Sequence, residues 1–221
     1  MTMFLKTKAL IMSLFVAMGL MVAPAFAEAP FTGFYVGTAL SYSNGDAKAE
    51  RNGSPLYGLD VSGAAVGLHA GYWHALGTNW RIGGEIAHSR SRADGADNIG
   101  NWYNVSVDSH TRIKSTTSAR VQAGYVVAPR VMPYVFVGYE RAKANVAETF
   151  TLGGKTSGLD FGISMKGPFA GLGVAYDVGR NWSVAGEISR HRLSGNFGDE
   201  TFGAKGRLHD TRVSLKVNYS F

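Results

Sequence analysis

From Val213 to Phe221 every second residue is apolar: Val213, Leu215, Val217, Tyr219 and Phe221 share one parity, and Asp210, Arg212, Ser214, Lys216, Asn218 and Ser220 the other. A period of two over that length describes a β-strand with one apolar and one polar face. Such a strand cannot stand alone, because its backbone needs hydrogen-bonding neighbours and its apolar face needs an apolar medium. The chain stops on an aromatic residue of the apolar face, whereas the ends of soluble chains tend to be frayed and polar. This ending predicts a last strand that is set in lipid and closes a sheet.

The opposite end predicts the compartment. Residues 1–27 carry Lys6 and Lys8, an apolar run from Ala9 to Val22 and the small-x-small ending Ala25-Phe26-Ala27. That order is the pattern of a secretory signal peptide cut after Ala27. The apolar run is short of the ~20 residues that a spanning helix needs. The domain expected to follow is residues 28–221. It has no Cys, so an exported chain of this size must be held by packing or by a closed hydrogen-bond network. Losing Lys6 and Lys8 from the 22 basic residues leaves 20 against 16 acidic ones, a net charge of +4. So small an excess says less than where the basic residues sit, and no nucleic-acid partner is expected. No later apolar run is long enough for a spanning helix, a test to which barrels, with alternating strands, are blind.

Alternation predicts strands at about 33–43, 61–76, 80–92, 109–127, 131–143, 163–178, 182–193 and 204–221. The connections alternate in length. Short ones lie at Leu76–Asn79, Ala128–Arg130 and Gly179–Asn181, with Gly, Pro and Asn in turn positions. Long polar ones are expected at about 44–60, 93–108, 144–162 and 194–203. Short turns on one rim and long loops on the other predict an all-β fold, an eight-stranded antiparallel up-and-down transmembrane β-barrel with its long loops outside the cell. The alternative is a soluble β-sandwich, which leaves the loop asymmetry and the apolar terminal strand unexplained. GLHAGYWHALGTNWRIGGEI at Gly67–Ile86 is echoed by GLGVAYDVGRNWSVAGEI at Gly171–Ile188, two hairpins of like geometry. Tyr72, Trp80, Tyr125, Tyr176, Trp182, Tyr219 and Phe221 flank the short turns or the C-terminus and predict a periplasmic aromatic girdle.

Several short peptides add a resemblance. Gly33-Phe34-Tyr35-Val36-Gly37, Ala123-Gly124-Tyr125, Pro133-Tyr134-Val135 with Gly138-Tyr139, and the terminal Asn218-Tyr219-Ser220-Phe221 resemble the small outer-membrane β-barrel proteins related to the OmpA transmembrane domain and the opacity-type surface antigens. The resemblance is diffuse and runs over the whole of 28–221, with the C-terminal pattern its most specific part. It implies location in the outer membrane of a Gram-negative bacterium. It also implies that Tyr219 and Phe221 form an assembly signal read by the barrel-assembly machinery. With the chain ending at Phe221, no periplasmic peptidoglycan-binding domain is expected.

Parity then assigns faces. If Trp80, Ile82 and Ile86 face lipid, Arg81 and Glu85 face the lumen, and by the same rule so do Arg120, Glu140, Glu187, Asp210, Arg212 and Lys216. Glu85, Arg120, Glu187 and Lys216 lie at similar heights, so Glu85–Arg120 and Glu187–Lys216 are expected to pair between neighbouring strands. With Glu140 and Arg212 they form an expected lumen charge network, since eight strands leave an interior just wide enough for side chains and an unpaired buried charge is costly. On the outward parity Arg90 and Arg92, Arg141 and Lys143, Arg190 and Arg192, and Lys205 and Arg207 stand at strand ends beside the long loops. There they are expected to meet phosphates of outer-leaflet lipid, in practice lipopolysaccharide. The alternative is snorkelling charges without a particular partner.

Three functions remain open. The favoured one is a non-enzymatic, monomeric surface protein that supports the envelope and offers loops to a host or surface ligand, with Tyr57, Trp102, Tyr103 and Phe150 as contact anchors. The second is a narrow ion or solute channel, limited by the lumen charges. The third is a lipid-modifying barrel enzyme. His88 and Ser89 point to opposite faces of a strand, and Ser189 and His191 share the lumen face, away from lipid. No catalytic residue, cofactor or metal is expected.

Overall fold

Alternation puts one side of each strand in lipid and the other in the lumen, and the computed structural model is built on that rule. It describes residues 30–51, 54–102, 105–152, 155–197 and 204–221, with side-chain detail for 30–48, 58, 60–91, 113–145, 162–195 and 206–221. Residues 1–27, where a signal peptide is expected, lie outside the described residues. The strands are β1 (Gly33–Arg51), β2 (Ser54–Leu76), β3 (Trp80–Trp102), β4 (Val105–Tyr125), β5 (Val131–Leu152), β6 (Lys155–Gly179), β7 (Trp182–Phe197) and β8 (Ala204–Ser220). Each pairs antiparallel with its sequence neighbour, and β1 pairs with β8, so the sheet is a closed barrel. Among the described residues no helix is long and apolar enough to cross a membrane; the strands do the crossing.

The closing seam runs from Tyr35↔Ser220 to Arg51↔Ala204. The Phe221 N–H donates to the Phe34 carbonyl at 3.0 Å, which ties the last residue to the first strand. Leu40, Leu68, Ile86, Val121, Val135, Leu172, Ile188 and Leu215 are among the large side chains exposed on the outer wall. Trp80 packs on Tyr125 and Trp182 on Tyr219, with ring centroids 5.1 and 5.2 Å apart, beside the short turns. In the last of those turns Arg180 and Asn181 both have positive φ, 54° and 68°, as the two-residue hairpin turns that match strand twist require.

The expected long loops are corrected. Most of 44–60, 93–108 and 144–162 continues the strands, and β1–β2, β3–β4 and β5–β6 are paired up to Arg51↔Ser54, Trp102↔Val105 and Leu152↔Lys155. Of 194–203, residues 194–197 continue β7 and 198–203 lie outside the described residues. Above the lipid both faces of a hairpin meet water, so apolar alternation fades while the backbone ladder continues. Gly, Asn, Asp and Ser there lower strand propensity without forbidding strands.

The ladder also divides. β2–β3 pairing reaches only Ser62↔Asp94 and β6–β7 pairing only Lys166↔Ser194, while the other six interfaces run to the strand tops. Among the described residues the end of the barrel remote from the short turns therefore parts into two four-stranded sheets, β7–β8–β1–β2 and β3–β4–β5–β6.

Closure can be tested because the chain has no cysteine of its own. Leu40 and Leu215 are opposed across the β1–β8 seam, and both point outward. The L40C/L215C variant should be joined by a short thiol-reactive cross-linker in the folded state, with a shifted gel mobility. L40C/L172C, with its second cysteine on β6, should not be joined.

Candidate functional site: the filled lumen and the cationic outer wall

Inward residues fill the barrel in layers. At the mouth beside the short turns Arg81, 1% exposed, donates to the carbonyls of Pro30, Thr78 and Trp80 at 3.2, 3.1 and 2.9 Å. Above it lies an aromatic layer that includes Tyr35, Trp73, Met132, Tyr134, Phe136 and Phe169. Small residues opposite make room for the rings: a Cβ on Gly173 would lie 2.7 Å from Cζ of Tyr134.

The first ionic layer rests on these rings. Arg120 Nη2 is 3.1 Å from Glu85 Oε2 and 2.7 Å from Glu187 Oε1, and Lys216 Nζ is 2.6 Å from Glu85 and 3.4 Å from Glu187. The phenols of Tyr35 and Tyr134 donate to Glu85 and Glu187 at 2.8 and 2.6 Å, and Gln122 Nε2 donates to Tyr35 Oη at 2.8 Å. The neighbour-strand pairs expected from parity are present, Glu85–Arg120 at 3.1 Å and Glu187–Lys216 at 3.4 Å, and shorter pairs cross the lumen, β3 to β8 and β4 to β7. Glu187 stands opposite Ser214, and Lys216 opposite Ala185. In so narrow a barrel the distance across the lumen rivals the distance along the wall, so each carboxylate reaches both cations.

A stack leads upward. The Arg120 guanidinium lies 4.2 Å over Phe136, whose ring centroid is 6.2 Å from Phe169, and Phe169 is stacked on His191 at 4.8 Å. The second ionic layer surrounds His191. Arg212 donates to both Glu140 oxygens at 2.8 and 3.1 Å and to Asp210 Oδ2 at 3.4 Å. His191 Nδ1 is 3.6 Å from Glu140 Oε2, and His191 Nε2 is 2.9 Å from Ser189 Oγ. Serine, histidine and carboxylate thus occur in the order of a nucleophile relay. Yet Arg212 holds the carboxylate, and an apolar layer that includes Val61, Ile113, Ala142, Ile163, Met165, Leu193 and Leu208 caps it from above. The voids lined by these layers measure about 80 Å³ between the ionic layers and about 20 Å³ at two further places. The first holds a few waters at ~15 Å³ each, not a substrate. His88, by contrast, is outward and binds Thr117 Oγ1 at 2.8 Å, whereas Ser89 turns inward to Thr116 at 2.6 Å.

On the outer wall Arg90, Arg141, Lys143, Arg190, Arg192 and Arg207 are exposed. The side chains of Arg92 and Lys205 lie outside the described set, as do those of Tyr57, Trp102, Tyr103 and Phe150. The β3–β4 register shifts between Arg90 and Ala93, so alternation counted from Trp80 does not carry through to Arg92. Sequence reasoning missed Lys166, an exposed cation on β6 directly opposite Arg141. Its signal was available, since it shares the parity of Leu172 and Tyr176, but it stands singly and escapes a search for pairs.

A family model described as the outer membrane protein β-barrel domain matches residues 13–221. The chain belongs to this family. Its place is the Gram-negative outer membrane. No curated protein matches. Similar solved structures include Neisserial surface protein A, with 16% identity over 86% of this chain and 98% of that one at a TM-score of 0.42. OprG from Pseudomonas aeruginosa shows 12% identity over 86% and 97% at 0.47. The outer-membrane protease OmpT from Escherichia coli shows 10% over 90% and 99% at 0.45.

Removing one partner of a buried ionic network costs ~3–5 kcal/mol. The R120M variant, which leaves Glu85 and Glu187 to share Lys216, should lose about that much stability, read as a lowered urea midpoint of tryptophan fluorescence in lipid vesicles. An unchanged midpoint would show that the network carries no such weight.

Proposed function

We propose that the protein is a non-enzymatic, non-conducting and monomeric surface barrel of the outer membrane, which supports the envelope and holds paired hairpins outside the cell for contact with a host or surface ligand. The observation that supports this reading is the filling of the lumen. From Arg81 at the mouth to Leu193 and Leu208 near the top, side chains occupy the bore, and both ionic layers are bridged across it. A channel needs mobile ions to displace these bridges. A lipid-modifying enzyme needs its nucleophile on the lipid side, whereas Ser189 and His191 lie beneath an apolar cap. Eight strands favour the same reading, since aqueous channels belong to barrels of ~16 strands. The hairpins supply the exposed surface, and their four-stranded sheets are stiffer than free loops of equal length. Tyr219 and Phe221 serve in assembly: Tyr219 packs between Trp182 and Phe221, with centroids at 5.2 and 5.4 Å.

Planar-bilayer recording tests the reading. The refolded wild-type barrel should give no steady conductance steps in molar potassium chloride. E85A/K216A/R120A, which removes most of one ionic layer, should flicker open. Steady steps from the wild-type protein would favour the channel.

A further inference from the structure

The outer wall is not the same all round. On β5–β7 the outward cations are Arg141, Lys143, Lys166, Arg190 and Arg192, and among the described outward side chains of β4–β7 there is no carboxylate. Arg141 and Lys166 are direct cross-strand partners, an arrangement that is repulsive unless an anion lies between. The described neighbours do not neutralise them: Arg141 Nε donates to Ser164 Oγ at 2.9 Å and Arg190 Nη1 to Thr211 Oγ1 at 3.0 Å, both uncharged acceptors. The opposite wall is mixed in sign. There Asp46 stands across from His209 and Asp60, next to Lys48 across from Arg207.

Beneath the cations the wall is hollow. An open groove of about 740 Å³ crosses β4–β7, floored by Ala119, Gly138, Pro168 and Ala170, flanked by Val137 and Tyr139, with Arg190 and Arg192 on its rim. Its volume falls in the ~300–1,000 Å³ range of ligand sites. Two register rows build it, Ala119–Tyr139–Pro168 and Val121–Val137–Ala170–Arg190. Pro168 has no N–H, and β6–β7 pairing skips from Lys166↔Ser194 to Phe169↔His191 at this point. Gly167 allows the close approach, since a Cβ there would collide with the Arg192 carbonyl oxygen.

The heights fit a lipid. Arg190 is eight residues above Trp182, or ~20 Å along a strand tilted by ~40°, and Arg141, Lys166 and Arg192 stand about one residue pair higher, at the top of an apolar band ~25 Å tall. The groove lies just below, in outer-leaflet hydrocarbon. We propose that β4–β7 hold a dedicated site for one phosphorylated, acylated lipid of the outer leaflet, namely lipopolysaccharide. Its phosphate lies between Arg141, Lys166 and Arg192, and one acyl chain runs down the groove across Ala119 and Ala170. The guanidinium forks supply bidentate donors to phosphate. Arg90 and Arg207, on the other wall, are not part of it. The proposal rests on the membrane placement of the barrel and not on closure of its lumen, so a conducting barrel would leave it standing.

Native mass spectrometry of the refolded, lipid-free barrel in mild detergent tests it, with bisphosphorylated lipid A and its dephosphorylated form as probes. Wild type should bind one bisphosphorylated molecule, and the dephosphorylated form about tenfold or more weakly. R141E/K166E, and the milder R141Q/K166Q, should lose binding by a similar factor, at ~1 kcal/mol per cation near a charged surface. A119F/A170F, which fills the groove and keeps every charge, should also weaken it, and R90E should not. Heat-modifiable gel migration confirms that each variant is folded. Undiminished binding by R141Q/K166Q, or equal loss in R90E, would overturn the site. Undiminished binding by A119F/A170F would overturn the acyl-chain seat.

Discussion

A bilayer core offers no hydrogen-bonding partner to a backbone, so every N–H and C=O of a strand that crosses it must be satisfied by another strand. In this protein that requirement is met by the β1–β8 seam, which removes both edges of an eight-stranded sheet. The rest follows from closure. Once the sheet is a tube, the two faces of each strand become two media, and a residue's parity decides whether it meets lipid or lumen. Once the tube has eight strands, its interior is narrow enough that side chains from opposite walls touch. The cross-lumen bridges of Arg120 to Glu187 and Lys216 to Glu85 are consequences of that narrowness.

Charges in such a lumen are held by a cost that cuts two ways. Buried ions lose hydration, and only dense pairing repays it. Glu85 and Glu187 each receive two cations and a tyrosine hydroxyl, so no single contact carries the first ionic layer. The aromatic stack from Arg120 through Phe136 and Phe169 to His191 joins the two ionic layers into one column. A lumen organised in this way is a strut. On the outside the same parity rule gives a wall of uneven charge, cationic over β5–β7 and mixed in sign over β8–β1–β2 among the described residues.

Much of this was legible in the sequence because a period of two is a local signal. The strand count, the short turns, the aromatic girdle and the inward parity of Glu85, Arg120, Glu140, Glu187, Arg212 and Lys216 all follow from alternation. Parity and height do not say which residue lies across the tube. Lys216 does reach Glu187 on the neighbouring strand, at 3.4 Å, but its shortest contact, at 2.6 Å, is Glu85 on β3, which parity and height do not reveal. The strand extensions were hidden for another reason: outside the lipid no apolar face is demanded, so segments such as Gly45–Arg51 resemble loops in composition while pairing as strands. Lys166 and the groove beside Pro168 were hidden because they depend on register between strands, which no single strand records.

The central claim is that the lumen is closed to water-borne solutes along its length, and accessibility of a buried thiol tests it most directly. Ala142 faces the lumen and is 0% exposed in the apolar cap above the second ionic layer. A single A142C variant, folded in lipid vesicles and treated with a charged, water-soluble methanethiosulfonate reagent, should remain unmodified for as long as the barrel is intact and react at once when it is unfolded. Prompt modification of the folded barrel would mean that the bore is open to solvent at that level and would contradict the account.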